Sequence, residues 1–135
     1  MVATRAGRKA RAPVYVSIVS ANPETLDGLH AYLCGAGIVS HCTRTLQDLA
    51  VAPPSAMAAV IFPDDFEHHE VLTLVRALRR TRPRLLLLIV TREPQRFRDV
   101  VQADGRSLPP VVLPRPSFGW DILDAIRAHS DAAPV

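Results

Sequence analysis

The sequence predicts a doubly wound α/β domain built on a parallel five-stranded sheet. Short apolar clusters alternate five times with stretches of helical periodicity, and proline, glycine and capping residues punctuate the joins. One cluster, Leu85 to Val90, is apolar at all six positions. Such a run suits a central parallel strand buried on both faces, since an antiparallel strand with one wet face would alternate. The chain of 135 residues fits one domain, large enough to bury its own core without disulfides or a structural metal.

The elements follow in order. Val14 to Ser20 has the β-branched content of a buried strand. Asn22 offers a helix N-cap and Pro23 a first helical position, with Leu26, Leu29 and Leu33 on one face before Gly35 and Gly37 stop the helix. A second strand fits Ile38 to Cys42, and Thr45 caps a short helix carrying Leu46 and Leu49 that Pro53 and Pro54 interrupt. Ala58 to Phe62 reads as the third strand, followed by a helix bearing Val71, Leu74, Val75 and Leu78 that ends over Arg79 to Pro83. After the Leu85 to Val90 strand come a weaker helix around Phe97 to Ala103, a short strand at Val111 to Leu113, and a helix from about Gly119 to His129 with Trp120, Ile122, Leu123 and Ile126. Ligands of such sheets bind at the carboxyl ends of the strands, so the loops after strands one, three, four and five are the place to look.

Composition narrows the classes. Hydrophobic residues make up 48% of the chain, yet no apolar run reaches the ~18 residues of a membrane span, and no signal-peptide pattern follows Met1, so a cytoplasmic location is expected. Arg5, Arg8, Lys9 and Arg11 precede the first acidic residue, Glu24, and account for the net charge of +3. The expected organisation is a disordered basic tail over residues 1–12, a folded domain over 13–130 and a C-terminal tail over 131–135. Of the 16 basic residues all but Lys9 are arginine, a bias expected of a GC-rich bacterial genome. Cys34 and Cys42 have neither the number nor the spacing of a disulfide framework or zinc site and are expected to be buried free thiols.

Four stretches, in order, resemble the receiver domains of response regulators: Ser17 to Pro23, Ala58 to Asp65, Leu88 to Thr91, and Leu113-Pro-Arg-Pro116. The resemblance covers about Val14 to His129 and implies a flavodoxin-like fold with strand order 2-1-3-4-5 and helices on both faces. Carried over by position, the family's acidic pair falls on Ser20 and Ala21, neither of which supplies a carboxylate for Mg²⁺. Aligned without a gap from the following helix, the phosphoacceptor falls on Pro63; a shift of one residue places it on Asp64. Thr91 matches the hydroxyl residue that binds the phosphoryl group, Arg115 replaces the family's lysine, and Val112 stands at the aromatic switch position. The resemblance therefore implies a degenerate member, a pseudo-receiver.

The expected function is a phosphorylation-independent protein-interaction module in bacterial two-component signal transduction, with no enzymatic activity, cofactor or metal. Its partner is expected to be a signalling protein, a scaffold or a second copy. The expected interface is the face of the fourth helix, fifth strand and last helix, where such receivers commonly dimerise, here comprising Phe97, Arg98, Val101, Val112, Trp120 and Arg127. Two alternatives stay open: a phosphoreceiver using Asp64 or Asp65, and a nucleic-acid adaptor using the basic tail with Arg76, Arg79, Arg80, Arg82 and Arg84. No helix-turn-helix or aromatic stacking motif accompanies those arginines, which puts nucleic acid behind protein. The cluster Glu67-His68-His69-Glu70, with Asp64 and Asp65, contains metal-ligating types, but sequential neighbours rarely converge on one ion, and an acidic helix start complementing the helix dipole is the simpler reading. Ser20 with His30 or His41 lacks both a nucleophile elbow and an acidic orienter.

Overall fold

The computed structural model describes residues 13–51, 55–117 and 119–132. The expected basic tail and the Pro53-Pro54 interruption lie outside them. Five strands, β1 (Val14–Val19), β2 (Ile38–Thr43), β3 (Ala58–Ile61), β4 (Leu86–Thr91) and β5 (Val111–Pro114), form one sheet in the order β2-β1-β3-β4-β5 with every pair parallel. The helices are α1 (Pro23–Gly35), α2 (Leu46–Ala50), α3 (His68–Thr81) and α4 (Gly119–Ala132). No helix among the described residues is long and apolar enough to cross a membrane.

The alternation of side chains along each strand feeds two cores. Val16, Ile18, Ala58, Val60, Leu86, Leu88 and Val90 pack against α1 and α4 through Leu26, Leu29, Leu33, Ile122, Leu123 and Ile126. Val19, Ala59, Ile61, Leu87 and Ile89 pack on the other face against α2 and α3 through Leu46, Leu49, Val71, Leu74, Val75 and Leu78. This division explains the unbroken apolar run of β4: each face of that strand meets its own helix layer.

The helix starts lie where the capping residues place them. Asn22 Oδ1 accepts from the amides of Glu24 at 2.9 Å and Thr25 at 3.4 Å, and Thr45 Oγ1 from that of Asp48 at 3.1 Å. Gly37, at φ +84°, supplies the left-handed residue that turns the chain from α1 into β2.

The fourth crossover departs from expectation. Instead of a helix over Phe97 to Ala103, two 3₁₀ turns form, Pro94–Phe97 and Asp99–Val101. Val100 and Val101 are β-branched and stiff at χ1, which disfavours an α-helix, and Gln102 already has extended backbone. Arg79 at the end of α3 instead secures this segment, donating from Nη1 to the Val100 carbonyl and from Nε to Ser107 Oγ, both at 2.9 Å.

Candidate functional site

The carboxyl ends of β1, β3, β4 and β5 open on one rim of the sheet, since Val19 is in register with Ile61, Ile61 with Ile89, and Thr91 with Pro114. After β3, Pro63 starts a 3₁₀ turn over Pro63–Asp65, closed by bonds from the Asp65 amide to the Phe62 carbonyl at 3.2 Å and from Phe66 to Pro63 at 3.0 Å. The turn sends its two adjacent carboxylates in opposite directions, Asp64 toward β4 and β5 and Asp65 toward β1.

Asp64 is held from three sides. The buried Thr91 hydroxyl donates to Oδ1 at 2.7 Å, the Arg92 amide donates to Oδ2 at 3.0 Å, and Arg115 Nη1 lies 3.5 Å from Oδ2. Thr91 Oγ1 is fixed in turn by accepting from the Glu93 amide at 3.0 Å. The Arg115 guanidinium also lies over the Phe62 ring, 5.6 Å from its centroid. Partial burial pushes the Asp64 carboxyl up, but the Thr91 hydroxyl, the Arg92 amide and the charges of Arg115 and Arg92 together outweigh it and hold the group below the usual aspartate range.

Asp65 is engaged on the opposite side. The buried Ser20 hydroxyl donates to its Oδ2, as does the Ala21 amide at 3.0 Å, and Ser20 Oγ accepts from the Asn22 amide at 3.0 Å. Pro63 is buried and carries no nucleophile. The rim thus holds a hydroxyl, an amide and a guanidinium gathered around one oxyanion, and that oxyanion is a side chain of the same chain.

Solved structures share this arrangement of strands and helices. A response-regulator receiver protein from Sinorhizobium medicae WSM419 superposes with a TM-score of 0.73 at 12% identity, over 89% of this chain and 96% of the other. The fold is that of a receiver domain. A CheY-like receiver domain protein from Methanospirillum hungatei JF-1 gives a TM-score of 0.69 at 17% identity over 89% and 95% of the two chains. A receiver domain protein from Clostridium thermocellum gives 0.69 at 11% identity over 87% and 94%. No protein-family profile and no curated protein matches the sequence.

Within the receiver fold, Asp64 is the carboxylate that meets Thr91 and Arg115, while Ser20 and Ala21 meet Asp65. Sequence reasoning had no means of finding the Arg92 donor, because a backbone amide carries no residue signature. On the face expected to bind a partner, Arg98, Trp120 and Arg127 are exposed and Val101 and Val112 half-buried. Phe97 corrects that expectation. At 2% exposure it is a core residue beneath the face, packed edge-on against the His68 ring at 5.1 Å between centroids.

The remaining candidates resolve more plainly. Among the described residues no three His, Cys, Asp or Glu side chains gather as a metal site, and Glu67 instead caps α3 by accepting from the Glu70 amide at 2.9 Å. Of the arginine cluster, Arg79 is tied to Val100 and Ser107, and Arg82 Nη2 donates to the Ala56 carbonyl at 3.2 Å, so both serve the fold. Cys34 and Cys42, expected to be buried, are free and exposed, one on the outward side of α1 and the other on the edge strand β2. His30 and His41 are exposed, and His30 pairs with Ser40.

Proposed function

We propose that this chain is a pseudo-receiver that transmits a signal by binding a protein partner without being phosphorylated. The observation that carries this reading is the engagement of Asp64 by Thr91, Arg92 and Arg115. A phosphoryl group carried by Asp64 would need those same donors, and Mg²⁺ would have to bind where Ser20 and Ala21 replace an acidic pair. Asp65 brings one carboxylate to that place, but it is occupied by the Ser20 hydroxyl and the Ala21 amide. The competing reading, in which Asp64 accepts phosphate, is favoured by its position beside Thr91 and Arg115.

An amide NMR titration of the domain with Mg²⁺ and beryllofluoride, a mimic of an aspartyl phosphate, separates the two. A pseudo-receiver shows no saturable change on the rim; saturable shifts at Asp64, Asp65 and Thr91 would make the chain a phosphoreceiver. The partner, a signalling protein or a second copy, docks on the face where β5 meets the Pro94–Phe97 turn beside α4, presenting Arg98, Trp120 and Arg127. Replacing Arg98 and Arg127 together by glutamate is expected to weaken both self-association and partner capture at unchanged folded content. Association that survives the double substitution would move the interface elsewhere.

A further inference from the structure

A cleft of about 620 Å³ opens between α1 and α4 beside the carboxyl ends of β3, β4 and β5. The buried side chains of Leu29, Phe62, Val90 and Ile122 form its apolar wall. Its size lies within the range of small-molecule sites.

Two features of the cleft bear on what it could hold. Gly28 lines it from the middle of α1, where glycine costs a helix about 1 kcal/mol relative to alanine. A Cβ at that position would meet no atom within 4 Å, so internal packing does not demand glycine. What the missing side chain preserves is open space in the cleft. The cleft is also lined by two arginines, Arg92 and Arg115, against one acidic residue, Glu24. Arg115 is held by a 3.5 Å ion pair with Asp64 and by the Phe62 ring beneath it, while the Arg92 side chain lies on the exposed surface. Tyr32, 41% exposed, borders the same space with its ring against Gly119, where a Cβ would fall 2.8 Å from Cδ2.

We propose that this cleft binds a small amphipathic anion, with a flat apolar body against Phe62, Val90 and Ile122 and a phosphate or carboxylate head at Arg92 and Arg115. Guanidinium suits both heads because its planar donors match two oxygens at once. Asp64 itself does not line the cleft. Arg115 is nevertheless shared, and an anion in the cleft competes with Asp64 for it.

The test is an NMR titration of the full chain with 1-naphthyl phosphate and, separately, 2-naphthoate, with inorganic phosphate as the control for the head alone. Saturable shifts are expected at Leu29, Tyr32, Val90, Arg92 and Ile122, and the tighter of the two naphthyl probes identifies the head. Gly28→Leu, which fills the open space from α1, is expected to abolish these shifts and raise the thermal midpoint. Arg92→Gln is expected to weaken binding at least about fivefold without moving its location. Should Gly28→Leu fail to fold, Gly28→Ala gives the same comparison in milder form, with weaker binding at higher stability. Binding unchanged by filling the cleft, shifts scattered over the surface, or equal shifts with inorganic phosphate would each overturn the proposal.

Discussion

Ser17 lies on β1, an interior strand of the sheet, 1% exposed and with no partner for its hydroxyl. A buried polar group left unpaired carries its desolvation cost without return, so Ser17→Ala is expected to raise the unfolding free energy by up to about 1 kcal/mol. The urea midpoint measures this, and a loss of stability would show that the hydroxyl finds a partner after all. Asp64 and Asp65 are the reverse case, two polar side chains whose oxygens are well supplied with donors. Their identity was plain in the sequence, and so were the substitutions at Ser20, Ala21 and Arg115. Their division of labour was not, because neighbours in a 3₁₀ turn point different ways according to backbone angles that Pro63 and the Phe62 carbonyl set. The ungapped alignment points to Pro63, and the one-residue shift kept open beside it points to Asp64, the carboxylate that meets Thr91 and Arg115.

The elements most legible in advance were those whose signals are local and redundant. For α1, a cap at Asn22, a proline at Pro23, three leucines on one face and a glycine stop all agree, and the helix runs from Pro23 to Gly35. For β4, the six apolar residues from Leu85 to Val90 required burial on both faces, and the strand, running from Leu86 to Thr91, is covered on both. The segment after β4 was least legible. It carries apolar residues at roughly helical spacing but no cap, and Phe97 and Val100 are buried by two short turns as well as a helix would bury them. Periodicity reports which side chains go inside and leaves open which backbone takes them there. The exposed cysteines reflect the same limit: Cys34 follows the core-facing Leu33 by one residue, and thus turns outward.

At the scale of the molecule, acid strength ties the rim to the far end of the fold. Asp64 lies below the usual aspartate range for the reasons given above, and its side chain is 20% exposed. Asp104 is held at about 2, chiefly by the amides of Ser107 and Arg106, which outweigh the opposing desolvation, with the Ser107 hydroxyl and Arg79 adding to them. Both groups have folded pKa values below their unfolded ones, so the stability they contribute is complete above the unfolded value and lost as pH falls through the folded value. The contribution of these two carboxylates to the urea midpoint is expected to be constant above about pH 5 and to be lost between about pH 4 and the Asp104 value of about 2. Replacing Asp64 and Asp104 together by asparagine should flatten the fall of the midpoint over that range, and an equally steep decline in the double variant would assign it to other carboxylates. The all-parallel sheet has a further consequence, in the time domain. No strand meets its neighbour through a tight hairpin: the smallest sequence separation between paired residues is 23, from Leu88 to Val111, and Val16 and Ala58 are 42 apart. Every pairing must therefore close a long loop before any contact rewards it, which makes folding slower than that of a helical bundle of the same size. For that interval the most apolar strand of the chain, β4, has both faces and both edges open, and nascent chains at high concentration will cross-associate there before they fold.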